Sequence, residues 1–238
     1  MIYSNEQIVR ASIVDTKANL SILGTYQIIQ DAITELTGQY NIDNLSLKEK
    51  YNAFWVFTKT RIKFIKKLQW NEQIIVNSFI SFISTAKINI DVEIIDKNNE
   101  IAVYSKTELC ALDIGTQRIR KLSTVGIDES MLEDKHPVEI VFTKFVENDL
   151  PLIDKVKIKY TNIDFSHHTN NLEYIRIIMN TYSVAQVENK EIKEMEIIYS
   201  NQSFENDILD IRKASFEDKD LIILEKNSQP VVKCEITF

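Results

Sequence analysis

A chain of 238 residues holds either one large domain or two small ones, and 44% hydrophobic with 26% charged residues excludes a disordered or fibrous polymer. No apolar run approaches the roughly 18 residues that span a bilayer, and the start MIYSNEQIVRAS lacks the basic and apolar stretches of a secretory signal, so the cytoplasm is the expected compartment. The net charge of -7 argues against nucleic acid as a partner, because phosphate binding rests on clustered cations.

The first strong periodic signal is helical. From Ile22 to Leu36, apolar side chains at 22, 26, 29, 33 and 36 keep one face, and Gly38 suits a C-terminal stop. Residues 55–68, 72–84, 86–96 and 101–114 are rich in Ile, Val, Phe and Thr, with a hairpin turn at Asp96-Lys-Asn-Asn99, and predict an antiparallel meander. Within the first of these, Lys59 to Lys67 carries five cations and no acid. It is either a solvated strand face or a docking surface for an acidic partner. Cys110 lies in a strand-like stretch, as Cys234 does later, and neither has a metal-ligand spacing, so buried free thiols are expected. A charged connection follows from about Asp128 to Pro151, including His136-Pro137. Leu172 to Val187 predicts a second helix, with Asn170 or Asn171 as N-cap. Residues 192–202, 206–216, 219–226 and 230–238 then predict a second meander, with turns at Glu217-Asp218 and Lys226-Asn-Ser228.

The order strand, helix, four strands thus occurs twice, and the sequence itself repeats. Phe64-x-x-Lys67-x-x-x-Asn71-Glu72-x-Ile74 matches Tyr199-x-x-Gln202-x-x-x-Asn206-Asp207-x-Leu209, and Ile13-Val-Asp15 before Leu23 matches Asn162-Ile-Asp164 before Leu172. A long helix cradled by an antiparallel sheet is the hotdog arrangement. The expected class is therefore α+β, a tandem (double) hotdog in which each repeat is a long helix wrapped by an antiparallel β-sheet, forming an intrachain pseudo-dimer. The expected division is an N-terminal repeat over 1–127, a linker over 128–151 and a C-terminal repeat over 152–238.

Ile163-Asp-Phe-Ser-His-His-Thr-Asn-Asn-Leu-Glu-Tyr-Ile175 resembles the Asp-x-Asn-x-His-x-Asn-Asn-x-x-Tyr signature of acyl-ACP thioesterases. Asp164, His168, Asn170, Asn171 and Tyr174 fall in register, while Ser166 replaces an Asn. Ala53-Phe-Trp-Val-Phe57 is similar to the family's Ala-Trp-Val-Leu strand start, and Ala111-Leu-Asp-Ile-Gly-Thr-Gln-Arg118 to its Leu-Ile-Asp-x-x-Thr-x-Arg strand end. The resemblance covers nearly the whole chain. It departs at Gln202, where members carry a Glu, and at Asn206, where they carry a Gly; Asn can still adopt the left-handed turn conformation.

The resemblance implies hydrolysis of fatty acyl thioesters to free acid and carrier protein, with no metal or bound cofactor. Such chemistry needs a polarised carbonyl and an activated water. A helix starting near Asn171 offers backbone N–H groups for an oxyanion. His168 can exchange a proton near neutrality, Asp164 can orient it, Ser166 can place a hydroxyl, and Gln202, which does not ionise, can only position water or carbonyl. Asn170 and Asn171 read as caps that aim amides and Tyr174 as core beside the site, and the resemblance implies that all three contribute to substrate binding. By the Asp15/Asp164 alignment, Lys17 and Asn19 stand where Ser166 and His168 do, so one catalytic centre per chain is expected. Tyr26 of the first helix is then expected to line an acyl-chain cavity, and Lys59, Arg61 and Lys63 to help recruit acyl carrier protein. Two rivals remain at this point: an acyl-thioester binding protein with a weakened site, and an acyl-CoA thioesterase or other hotdog enzyme. A homodimer is left open.

Overall fold

The computed structural model describes residues 1–135, 137–146 and 150–238, so His136 of the expected linker lies outside the described residues. The chain divides into two compact units, residues 1–141 and 142–238.

The first unit runs β1 (Tyr3–Ile8), α1 (Ile22–Gln39), α2 (Asn44–Tyr51), β2 (Ala53–Phe64), β3 (Gln73–Ile83), β4 (Ile88–Ile95) and β5 (Ile101–Asp113). Its strands are antiparallel in the order β1-β3-β4-β5-β2. Side chains alternate between the faces of a strand, and Ile88, Ile90, Val92 and Ile94 of β4 are all fully buried on one of them. Against that face α1 lays Tyr26, Ile29, Ile33 and Leu36, and the Ser78 hydroxyl bonds to Ala32 O at 2.9 Å. Each large aliphatic so buried contributes about 1.5–3 kcal/mol relative to exposure.

The opposite face is charged. Fully buried Asp91 accepts from Ser81 Oγ and Tyr104 Oη, both at 2.6 Å, and Lys106 lies 3.9 Å away. Burial and this carboxylate hold the Tyr104 hydroxyl protonated, its pKa pushed well above the phenolic range. Residues 132–135 and 137–141 cross this face as a strap. Glu133 N donates to Ile80 O of β3, Lys135 pairs with Glu93 of β4 at 2.7 Å, Lys106 of β5 bonds to Ile140 O, and Arg61 of β2 bonds to Val141 O.

The second unit runs β6 (Leu152–Lys157), α3 (Asn171–Met179), α4 (Val184–Asn189), β7 (Glu194–Tyr199), β8 (Ile208–Ser215), β9 (Lys219–Lys226) and β10 (Gln229–Thr237), with strand order β7-β10-β9-β8-β6, again antiparallel. Tyr174, Ile175, Ile177 and Ile178 of α3 are buried, and on the other side of β9 Leu221 and Ile223 pack with Leu150 and Phe145. Cys110 and Cys234 are buried free thiols.

Two helix expectations are corrected. The stretch from Leu172 to Val187 is not one helix, because Ser183 adopts an extended conformation and forms a capping box with Gln186 that starts α4 afresh. The first helix passes through Gly38 and stops beyond it. Asn41, at φ 55°, closes a Schellman turn in which Asn41 N bonds to Gly38 O and Ile42 N to Thr37 O.

The duplication is visible bond by bond. Val9 exchanges backbone hydrogen bonds with Asn71 and Glu72, as Ile158 does with Asn206 and Asp207. Asn71 and Asn206 both take the left-handed conformation, at φ 65° and 71°. Glu72 accepts from Gln69 N, and Asp207 from Phe204 N. Leu20 N donates to Leu68 O, as Thr169 N does to Ser203 O.

Candidate active site

Between β6 and α3 the chain makes a tight loop. Asp164 N bonds to His168 O at 2.9 Å, His167 N bonds to Asp164 O at 3.0 Å, and His167 sits in the left-handed region at φ 64°. The Asp164 carboxylate organises this loop from within: its Oδ1 accepts from Ser166 N at 2.8 Å and from Ser166 Oγ at 2.5 Å. Ser166 Oγ is in turn 3.2 Å from His168 Nδ1. The carboxylate therefore reaches the imidazole through the hydroxyl. Since an ionised carboxylate only accepts, the single hydroxyl proton goes to Asp164, and the serine oxygen is left to accept from Nδ1–H. This network assigns the tautomer in which Nε2 carries the lone pair.

His168 is half-buried, and the ring of Phe204 packs edge-on against it, with centroids 5.1 Å apart. Burial lowers the His168 pKa below the ordinary value; the Asp164 carboxylate pulls the other way, and His167 adds to the lowering. The neutral, proton-accepting form is thereby favoured at neutral pH.

Asn170 is the N-cap of α3, its Oδ1 accepting from Leu172 N at 2.9 Å, and Asn171 is the first helical residue. Tyr174, one turn on, is buried, and its hydroxyl meets Ser203. Gln202 is half-buried in the segment after β7, immediately before Ser203, whose carbonyl accepts from Thr169 N next to His168. The loop and the segment carrying Gln202 are thus held together at Thr169 and Ser203. Neither of those two, nor Phe204, stands out in the sequence; the one available signal was that Ser203 adjoins the Gln202 position of the motif.

Family models for the acyl-ACP thioesterase N-terminal domain and C-terminal domain match residues 1–147 and 147–236. The chain belongs to the acyl-ACP thioesterase family. No curated protein matches the sequence. Among solved structures it resembles an acyl-ACP thioesterase from Bacteroides thetaiotaomicron, at 18% identity and a TM-score of 0.87, over 100% of this chain and 97% of that one. It is also similar to a 12:0-ACP thioesterase from Umbellularia californica, at 15% identity and a TM-score of 0.82, over 99% and 96% of the two chains. The fold is the tandem hotdog of this thioesterase family, in the α+β class.

The remaining expected residues lie in the first unit. Tyr26 is buried on the sheet-facing side of α1. A cleft of about 260 Å³ lies along another side of that helix, where Asp31 and Glu35 meet Tyr3, Asn5 and Gln7 of β1. Lys59, Arg61 and Lys63 share the charged outer face of the sheet opposite Glu108, Lys106 and Tyr104, and all three are half-buried. Arg61 spends a guanidinium N–H on Val141 O at 2.7 Å, and Lys66 pairs with Asp96 and Glu100. The cationic stretch is therefore woven into the unit's own contacts to a degree its sequence did not suggest. Among the described residues no helix is long and apolar enough to cross a membrane.

Proposed function

We propose that this thioesterase-family protein hydrolyses fatty acyl groups from acyl carrier protein in the cytoplasm, with His168 as general base. The Asp164–Ser166–His168 hydrogen-bond chain carries the reading, because it leaves Nε2 to take a proton from water. Water then adds to the thioester carbonyl, the oxyanion is met by the Asn171 N–H at the positive end of α3, and Gln202 positions water or carbonyl. On collapse the C–S bond breaks and the imidazolium returns its proton to the leaving thiolate. Asn170 serves by fixing the first turn of α3, and Tyr174 by anchoring that turn to the core.

In the proposed division, the repeat over 1–127 holds the acyl chain, with Tyr26 in its lining, a linker spans 128–151, and the repeat over 152–238 carries the chemistry. Lys59, Arg61 and Lys63 contribute to carrier recruitment. The test is hydrolysis of acyl-ACP by the purified protein at several salt concentrations. Turnover is expected, with a KM that rises with salt for acyl-ACP and not for a short neutral thioester. A salt response equal for both substrates would remove the recruiting role.

A second reading is favoured by Gln202, an amide where members carry a carboxylate: a protein that binds acyl-ACP without turning it over. Binding without hydrolysis, with activity appearing in Gln202→Glu, would establish it. Faster turnover of matched acyl-CoA than of acyl-ACP would instead point to a CoA-directed enzyme.

A further inference from the structure

We propose that Thr169, Ser203 and Tyr174 form a positioning cluster that holds Phe204 against the His168 imidazole and fixes the backbone that carries Gln202. This deepens the hydrolase reading above and rests on it. Three buried hydroxyls meet here, with exposures of 4%, 0% and 3%. Ser203 Oγ lies 2.7 Å from Thr169 Oγ1 and 2.9 Å from Tyr174 Oη. Ser203 N donates to Tyr174 Oη at 3.1 Å, while Ser203 O accepts from Thr169 Oγ1 at 3.0 Å and from Thr169 N at 2.9 Å. Both peptide groups of Ser203 are therefore fixed in plane. The residues on either side of it are the two that matter to the site: Gln202 at the motif position, and Phe204, whose ring packs edge-on against His168 and whose N–H is tied to Asp207.

The first repeat closes the same junction without this cluster. At the corresponding positions it has Leu20, Leu68 and Thr25, and the same backbone bond, Leu20 N to Leu68 O at 2.7 Å, forms between two apolar residues. Leu20 and Leu68 close the junction without the Thr–Ser hydroxyl pair, and Thr25, although buried, stands where Tyr174 reaches Ser203; a buried hydroxyl costs about 1–3 kcal/mol if left unpaired. The polar version occurs in the repeat that has the histidine. Hydrogen bonds are directional where apolar packing is not, so what the cluster adds is orientation of the Gln202–Phe204 segment.

The experiment compares wild type, Ser203→Ala, Tyr174→Phe and, as a buried-hydroxyl control in the first repeat, Thr37→Val, by NMR titration of the His168 ring and by kcat and KM on acyl-ACP. In Ser203→Ala the segment loosens and water reaches the imidazole. The His168 midpoint should move up toward the ordinary histidine value, and kcat should fall about 10- to 100-fold with KM little changed. Tyr174→Phe, which keeps the Thr169–Ser203 pairing, should move both in the same direction by less. Thr37→Val should lower thermal stability and leave both readouts where they are. An unchanged His168 titration in the folded Ser203→Ala and Tyr174→Phe proteins would overturn the proposal. So would loss of folding in both, since the cluster would then be a structural lock. A wild-type protein without turnover whose His168 midpoint still moves in Ser203→Ala would sink the hydrolase reading and keep the positioning one.

Discussion

The loop Asp15–Leu20 and the loop Asp164–Thr169 share one backbone and differ in what it carries. In each, the Asp N–H bonds to the carbonyl four residues on, at 2.7 and 2.9 Å; the third residue after the Asp, Ala18 or His167, is left-handed; and the Asp Oδ1 accepts from the N–H of the second, Lys17 or Ser166, at 2.8 Å. In the first loop Oδ1 also takes Asn19 N, and its work ends with the turn. In the second, the hydroxyl of Ser166 extends the same oxygen to His168. The aspartate is thus a structural residue in both repeats, and only in the second do a hydroxyl and an imidazole stand two and four places after it. The junction behind the loop differs too. In the first repeat a Cβ on Gly24 would fall 2.4 Å from Ile13 O, so α1 meets the loop backbone directly; in the second, Glu173 occupies the corresponding place and accepts from Asn162 Nδ2.

Paired substitutions put this comparison to the test. The largest difference is expected between His168→Ala, which should lower kcat/KM by about 10²–10⁴, and Asn19→Ala, which should leave it as in wild type. Equal turnover in His168→Ala and wild type would end the proposed mechanism. Next come Asp164→Asn and Asp15→Asn, in which the amide oxygen can still accept the loop hydrogen bonds. The former should lose about 10- to 100-fold in kcat for want of the negative charge, the latter only a little stability.

The pH profile sharpens the same point. With His168 acting as base, activity is lost as pH falls through its pKa, and burial sets that acid limb below the ordinary histidine value of about 6.5. Removing the carboxylate, which works to raise the pKa, should move the limb of Asp164→Asn lower still. A limb that rose instead would mean that the Asp164 charge does not reach the imidazole. The smallest effects concern scaffold alone. Asn71→Ala and Asn206→Ala should each cost on the order of 1 kcal/mol in denaturant unfolding, because both positions are left-handed; a much larger cost at one would show that the two turns are not equivalent.

Much of this was legible in the sequence where the determinant was local. The Asn71/Asn206 match, the repeated element order and the motif before α3 depend on residues a few places apart, and spacing exposes them; that Asn71 is left-handed as Asn206 is came from the structure. Helix ends were harder: the apolar period continues through Ser183, and only the bond between its side chain and Gln186 N reveals that a new helix begins. Contacts distant in sequence left no trace. That Lys59, Arg61 and Lys63 share a face follows from period two; that Val141 lies over Arg61 does not. Nor could the pattern show Thr169 and Ser203 meeting, since 34 residues separate them. The Asp164 and His168 pairing was visible as a motif, and Ser166, a departure from the family pattern, as a hydroxyl near it; that this hydroxyl stands between the two was not.

The strap over the first sheet bears on the order in which this protein assembles. β2 to β5 are neighbours in the sequence as well as in the sheet, apart from the excursion that brings β2 back beside β5, so they can pair early. The strap's anchors, Ile80, Glu93, Lys106 and Arg61, come from four different strands, and none of these receptors exists as a surface until the sheet does. Its docking is therefore expected late in folding, so that weakening it, as in Lys135→Ala, should speed unfolding and leave the folding rate little changed in stopped-flow measurements.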